Sequence, residues 1–201
     1  MDIEFEEGLI KFDKELTLLD RLALDFSDVL TDCGVDHVFV AGYVAILFGR
    51  SRVSEDIDVL VDEVSKEKFG EIWKELEDDF YCHNTSDFEE AYDDYLREGL
   101  AVRFAENDMV IPNVEFKFVS TAQQKKVLEE SIVVELNGRK LPIAPIESQI
   151  AYKLFLNSKK DIEDAKYLYE IFKGKLDEEK WKEYLDDLDI PVNAVRDLLG
   201  F

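Results

Sequence analysis

The 201-residue chain carries 24 Lys and Arg against 47 Asp and Glu, a formal charge of −23 at pH 7, so its surface repels polyanions and broad, sequence-independent nucleic-acid binding is not expected. Hydrophobic residues make up 46% and aromatics 12%, enough to build a core rather than leave an acidic disordered chain. The acidic start, Asp2, Glu4, Glu6 and Glu7, is the wrong charge for a signal or transit peptide, and no apolar run reaches a membrane span; both predict a cytoplasmic protein with no membrane contact.

In chain order, Leu19, Leu22, Phe26, Val29, Leu30 and Cys33 form an apolar face at helical spacing that stops at Gly34. Val38 to Val40 reads as a strand. Gly42 allows a sharp strand-to-helix turn, and Val44, Ala45, Leu47 and Phe48 suit a short buried helix ending near Gly49. Ile57 to Val61 reads as the next strand. Phe69, Ile72, Trp73 and Leu76 mark an amphipathic helix, and Ser86 with Glu89 three residues on opens a second, running to Arg97. Ala101 to Phe104 and Met109 to Val119 read as strands. Ser120 or Thr121 caps a helix ending near Glu130, and Asn137-Gly138 joins two short strands as a hairpin. Beyond Pro145 only helical patterns remain, over about 147–156, 159–173, 177–187 and 191–199. The expected organisation is an α/β unit over residues 1–144 followed by a helical subdomain over 145–201. Cys33 and Cys82 lack the spacing of a zinc site and are expected to be reduced thiols, and His37 and His83 to be structural.

The chemistry concentrates in Val40-Ala41-Gly42-Tyr43, twelve residues, then Asp56-Ile57-Asp58-Val59. On a strand, Asp56 and Asp58 share one face while Ile57, Val59 and Val61 point to the other. Two adjacent carboxylates repel unless a cation lies between them, which points to a hard-metal site for Mg²⁺ or Mn²⁺. The backbone N–H groups at the Gly42 turn are candidates to hold the phosphates of a nucleotide that shares the metal. Val114, Phe116 and Phe118 alternate with Glu115, leaving Glu115 on the polar face as a third carboxylate, with Asp108 as a nearby competitor. Three such groups on neighbouring strands suit two ions, one activating a hydroxyl and one steadying a leaving pyrophosphate.

These residues resemble the minimal nucleotidyltransferase superfamily, whose pattern is a hydrophobic residue, Gly-Gly or Gly-Ser, a spacer of about ten, then Asp-hydrophobic-Asp. Arg52-Val53-Ser54-Glu55-Asp56-Ile57-Asp58, Pro145-Ile146-Glu147 to Lys153, and Lys160-Asp161-Ile162-Glu163-Asp164 resemble the nucleotidyltransferase toxins of abortive-infection systems. The resemblance covers about residues 36–170. It implies a mixed-sheet α/β core of the polymerase-beta-like type with a C-terminal helical subdomain. It further implies that Gly42, Tyr43, Arg52, Ser54, Lys153, Asp161 and Asp164 belong to the nucleotide side, Lys153 contacting the triphosphate. Tyr43 stands where the pattern has its second Gly or Ser.

Each residue also has an ordinary reading. Asp56 and Asp58 would simply be an exposed strand face, and Glu115 a partner of Lys117. Asp161 would cap its helix through Ser158, Lys153 would extend along a core helix, and Arg50 and Arg52 would pair with nearby acids. The expected activity is transfer of a nucleoside monophosphate from an NTP to an acceptor hydroxyl, in a toxin–antitoxin or phage-defence setting with a partner protein. A protein or small-molecule acceptor suits the charge better than RNA. The competing reading is a catalytically degenerate, acidic interaction module.

Overall fold

The computed structural model describes residues 3–6 and 8–199. The strands are β1 (Glu4–Glu6), β2 (Leu9–Phe12), β3 (His37–Val40), β4 (Asp56–Val61), β5 (Phe80–Cys82), β6 (Val102–Glu106), β7 (Asn113–Phe118), β8 (Ile132–Leu136) and β9 (Arg139–Ile143). Among the described residues they form one mixed sheet in the order β1-β2-β8-β9-β3-β4-β7-β6-β5. The helices are α1 (Leu18–Asp32), α2 (Gly42–Leu47), α3 (Lys66–Leu76), α4 (Phe88–Glu90), α5 (Ala122–Glu129), α6 (Ile146–Leu156), α7 (Lys159–Phe172), α8 (Glu178–Asp187) and α9 (Val192–Leu199). Among the described residues no helix is long and apolar enough to cross a membrane.

Local chemistry accounts for the boundaries. Thr17 and Asp20 close a reciprocal capping box at the start of α1, Thr17 Oγ1 accepting from the Asp20 N–H at 3.2 Å and Asp20 accepting from the Thr17 N–H at 2.8 Å. Asn137 and Gly138 both take positive φ, 51° and 81°, as the tight turn between β8 and β9 requires. One face of the sheet is apolar. Ile57, Val59, Val114 and Phe116 pack there with Phe26 of α1 and Phe69 of α3, each such side chain contributing about 1.5–3 kcal/mol on burial. The opposite face carries a smaller cluster, Val38, Leu60, Leu128 and Ala144. Its β4–β7 end is given over to polar side chains.

Four local expectations change. The sequence pattern does not announce β1, β2 or β5, each of which is too short to show a period. The helix expected from Ser86 is capped instead by Asp87, whose carboxylate accepts from the Glu89 N–H at 2.9 Å, and after α4 the backbone widens into a π-helical stretch over Ala91–Leu96. The strand expected from Met109 begins only at Asn113; Pro112 has no N–H to give a ladder.

Helix α7 packs against α2 and, through Phe172, against Phe5 of β1, the rings edge to face at 5.6 Å. Tyr167 of α7 donates from its hydroxyl to the Phe48 carbonyl at 3.2 Å. A Cβ on Gly49, which has φ +99°, would lie 3.1 Å from that hydroxyl, so glycine suits both the end of α2 and the approach of α7.

Candidate functional site

The site lies where β3 ends and β4 and β7 begin. Ala41, between β3 and α2, takes φ 60° and ψ −129°, a region L-residues rarely occupy. The sharp strand-to-helix turn expected at Gly42 therefore takes its positive φ at Ala41, one residue earlier. A Cβ on Gly42 would stand 2.5 Å from Arg52 Nη2, so the guanidinium rests directly on the glycine and would have to shift to admit a side chain.

Tyr43 turns away from this end. Its ring is fully buried, and its hydroxyl donates to Asp20 Oδ1 at 3.1 Å. Asp20 also accepts from Lys14 Nζ at 2.9 Å and from Thr17, while Lys14 Nζ donates to the Leu47 carbonyl at 2.9 Å. Burial and the Asp20 charge push the Tyr43 hydroxyl well above its ordinary pKa. The side chain thus ties α2 to α1, and only its backbone N–H remains near the turn.

Three carboxylates share the polar face. In the parallel β4–β7 pair Asp58 lies opposite Glu115 and Asp56 opposite Asn113, and partners in register project to one side of a sheet. The Asp58 carboxyl is pushed up to about 6 by burial first, then by the charges of Glu115 and Asp56, with Lys153 and Lys160 opposing. Ser54 Oγ donates to Asp56 Oδ1 at 3.2 Å. Glu115 Oε1 accepts from Arg103 Nε at 2.7 Å and Nη2 at 2.5 Å. Among the described residues no group of three or more His, Cys, Asp or Glu side chains stands poised to hold an ion; Glu115 is engaged by Arg103. The donor set nonetheless fits a hard cation by its chemistry. All three groups are oxygen donors, and a cation would relieve the repulsion that raises Asp58.

Beside them lies a buried ionic cluster. Lys153, on α6, stands 3.3 Å from Asp161 Oδ1 and 3.1 Å from Asp164 Oδ2. Arg52 Nη1 reaches the same Asp164 oxygen at 2.5 Å, and Arg50 Nε lies 3.4 Å from Asp164 Oδ1. Asp161 doubles as the cap partner of Ser158, whose Oγ accepts from the Asp161 N–H at 3.3 Å. Burial raises its carboxyl, but the Ser158 hydrogen bond and Lys153 outweigh this and hold it below the usual range. Because Asp164 is the anion shared by three buried or half-buried cations, Asp164→Ala is expected to cost about 3–5 kcal/mol in chemical denaturation. The charge-conserving Asp164→Glu is expected to cost less.

The fold therefore brings together Gly42, Arg52, Ser54, Asp56, Asp58, Glu115, Lys153, Asp161 and Asp164, which span most of the chain, and sends the Tyr43 side chain into the core. Asp108 lies in the β6–β7 loop with φ 66°. The sequence reading leaves out Arg103 and Asn113. The alternation of Val102 and Phe104 around Arg103 marks it once β6 is known to lie beside β7; Asn113 carries no signal of its own.

No protein-family model matches the chain, and no curated protein matches it. The architecture is that of the nucleotidyltransferase fold, a mixed α/β sheet with helices following it. The chain is similar in structure to an antigenic nucleotidyltransferase-like protein from Paracoccidioides brasiliensis, with a TM-score of 0.54, 14% identity, and 90% of this chain and 91% of that one covered. It is also similar to ANT(2″)-Ia in complex with adenylyl-2″-tobramycin, with a TM-score of 0.52, 15% identity, and coverage of 86% and 98%.

Proposed function

We propose that the protein is a Mg²⁺-dependent nucleotidyltransferase that moves a nucleoside monophosphate from an NTP to an acceptor hydroxyl. The observation that carries this reading is the convergence of Asp56, Asp58 and Glu115 on one sheet face beside the Gly42 turn, within a nucleotidyltransferase fold. Asp56 and Asp58 would hold the cation, with Glu115 released from Arg103 to join them. Bound Mg²⁺ would supply Lewis-acid activation of the hydroxyl and charge neutralisation at the departing pyrophosphate.

The chain's own residues divide the remaining work. Arg52 and Lys153 bring positive charge to the triphosphate side, in a protein otherwise short of it. Asp161 and Asp164 hold those cations in place, which limits the reorganisation needed when phosphate arrives. Ser54 orients Asp56. With the Tyr43 ring in the core, its bulk does not crowd the phosphate end.

A small-molecule or protein hydroxyl suits a surface of charge −23 better than RNA does. The adenylylated tobramycin held by ANT(2″)-Ia is an example of the first kind. Calorimetric titration of each NTP with Mg²⁺ is expected to give metal-dependent binding in the wild type and none in Asp58→Asn. Absence of binding to the folded wild type would overturn the assignment. Filter binding with tRNA over a salt series is expected to show no tight, salt-dependent complex; finding one would move the acceptor to RNA.

A further inference from the structure

Asn113 opens β7 directly opposite Asp56, two residues before Glu115 on the same strand face. Its backbone N–H donates to the Glu55 carbonyl at 2.9 Å, and its side-chain Nδ2 donates to that same oxygen at 3.2 Å. The nitrogen end of the amide is thereby fixed, and the carbonyl Oδ1 is the free end. The residue is only 8% exposed, and its Oδ1 is buried without a hydrogen-bond partner. A buried carbonyl left in that state costs stability unless something else completes it.

The surroundings say what would. Asn113 lies on the face that also carries Asp56, Asp58 and Glu115. A hydrogen-bond donor entering this region would be drawn to a carboxylate before a neutral amide. A hard cation behaves differently: it seeks six or more oxygens, and a neutral carbonyl raises its coordination without adding repulsion.

We propose that Asn113 Oδ1 is a direct ligand of the divalent cation held by Asp56 and Asp58, a neutral donor beside the charged ones. This rests on the reading of those carboxylates as the cation site. Ser54 and Glu55 then act as the clamp that presents both Asp56 and Asn113, since Ser54 bonds the first and the Glu55 carbonyl the second.

The test uses Tb³⁺ as a luminescent probe and Mn²⁺ for affinity, on the wild-type chain and on Asn113→Ala, with circular dichroism to verify folding. Tb³⁺ lifetimes in H₂O and D₂O count bound waters. Losing a protein oxygen is expected to raise that count by about one and to weaken Mn²⁺ by about tenfold. A variant that is folded but has an unchanged water count would overturn the role of Asn113 and leave the carboxylate site standing. A wild type that binds neither ion would overturn both. Should the variant fail to fold, the ¹³Cγ resonance of Asn113 in the wild type is expected to shift on addition of Mg²⁺, and a stationary resonance would reject the assignment.

Discussion

Asp58→Asn is expected to make the metal-free protein more stable at pH 8 while removing metal-dependent nucleotide binding. The Asp58 carboxyl is raised from 3.8 to about 6. Its contribution to stability is therefore fully present below about pH 4 and lost as pH rises through about 6, because folding then confines a charge that the unfolded chain carries freely. At pH 8 the cost amounts to about 2–3 kcal/mol. Asparagine carries no such charge, so in EDTA the variant should melt about 5–10 °C higher than wild type at pH 8. The two curves should approach one another as pH falls to 4. A gain of equal size at both pH values would place its origin elsewhere than in the ionisation of Asp58. Saturating Mg²⁺ should narrow the gap at pH 8 by stabilising the wild type alone.

The second large effect is at Tyr43. Replacement by Ser empties a fully buried ring site and is expected to cost about 3–5 kcal/mol in denaturant unfolding, a large share of the roughly 5–15 kcal/mol that holds a typical domain folded. Tyr43→Phe removes only the hydroxyl. Asp20 keeps Lys14 and Thr17 as partners, so the expected cost is about 1 kcal/mol, with NTP affinity unchanged. A marked loss of NTP affinity in a stable Tyr43→Phe protein would mean that the hydroxyl reaches the nucleotide after all.

The Tyr43 case shows why part of the site could not be read from the chain. In a linear pattern, the residue after Gly42 stands in the phosphate-binding turn. The side chain, however, is one turn of helix in a core, and the partner that claims it, Asp20, lies 23 positions upstream. The positive φ at Ala41 is similarly invisible: alanine carries no mark of strain until the β3–α2 connection is closed by its neighbours. Arg52 shows another limit: the ion-pair reading looks to acids close by in the chain, whereas the partner the fold supplies is Asp164, 112 positions away, with the guanidinium lying against Gly42.

Much of the rest was legible for simple reasons. Alternation of Asp56 and Asp58 with Ile57 and Val59 sets which side chains share a face, because a strand has a period of two. The Asn137-Gly138 turn, the Thr121 and Ser158 caps and the apolar stripes of α1, α3 and α7 are local devices, each complete within a few residues. From these the sequence by itself determined the α/β-then-helical order of elements and the pairing of Asp56 with Asp58 on one face. Only the tertiary structure decided the parallel register that sets Glu115 beside Asp58 and Asn113 beside Asp56, the tether of Glu115 to Arg103, and the joining of Arg50 and Arg52 to Asp164 more than a hundred residues away. Such pairings depend on strand order and on how the sheet is covered, which are settled by burial summed over the whole molecule and leave no trace in the spacing of neighbouring residues.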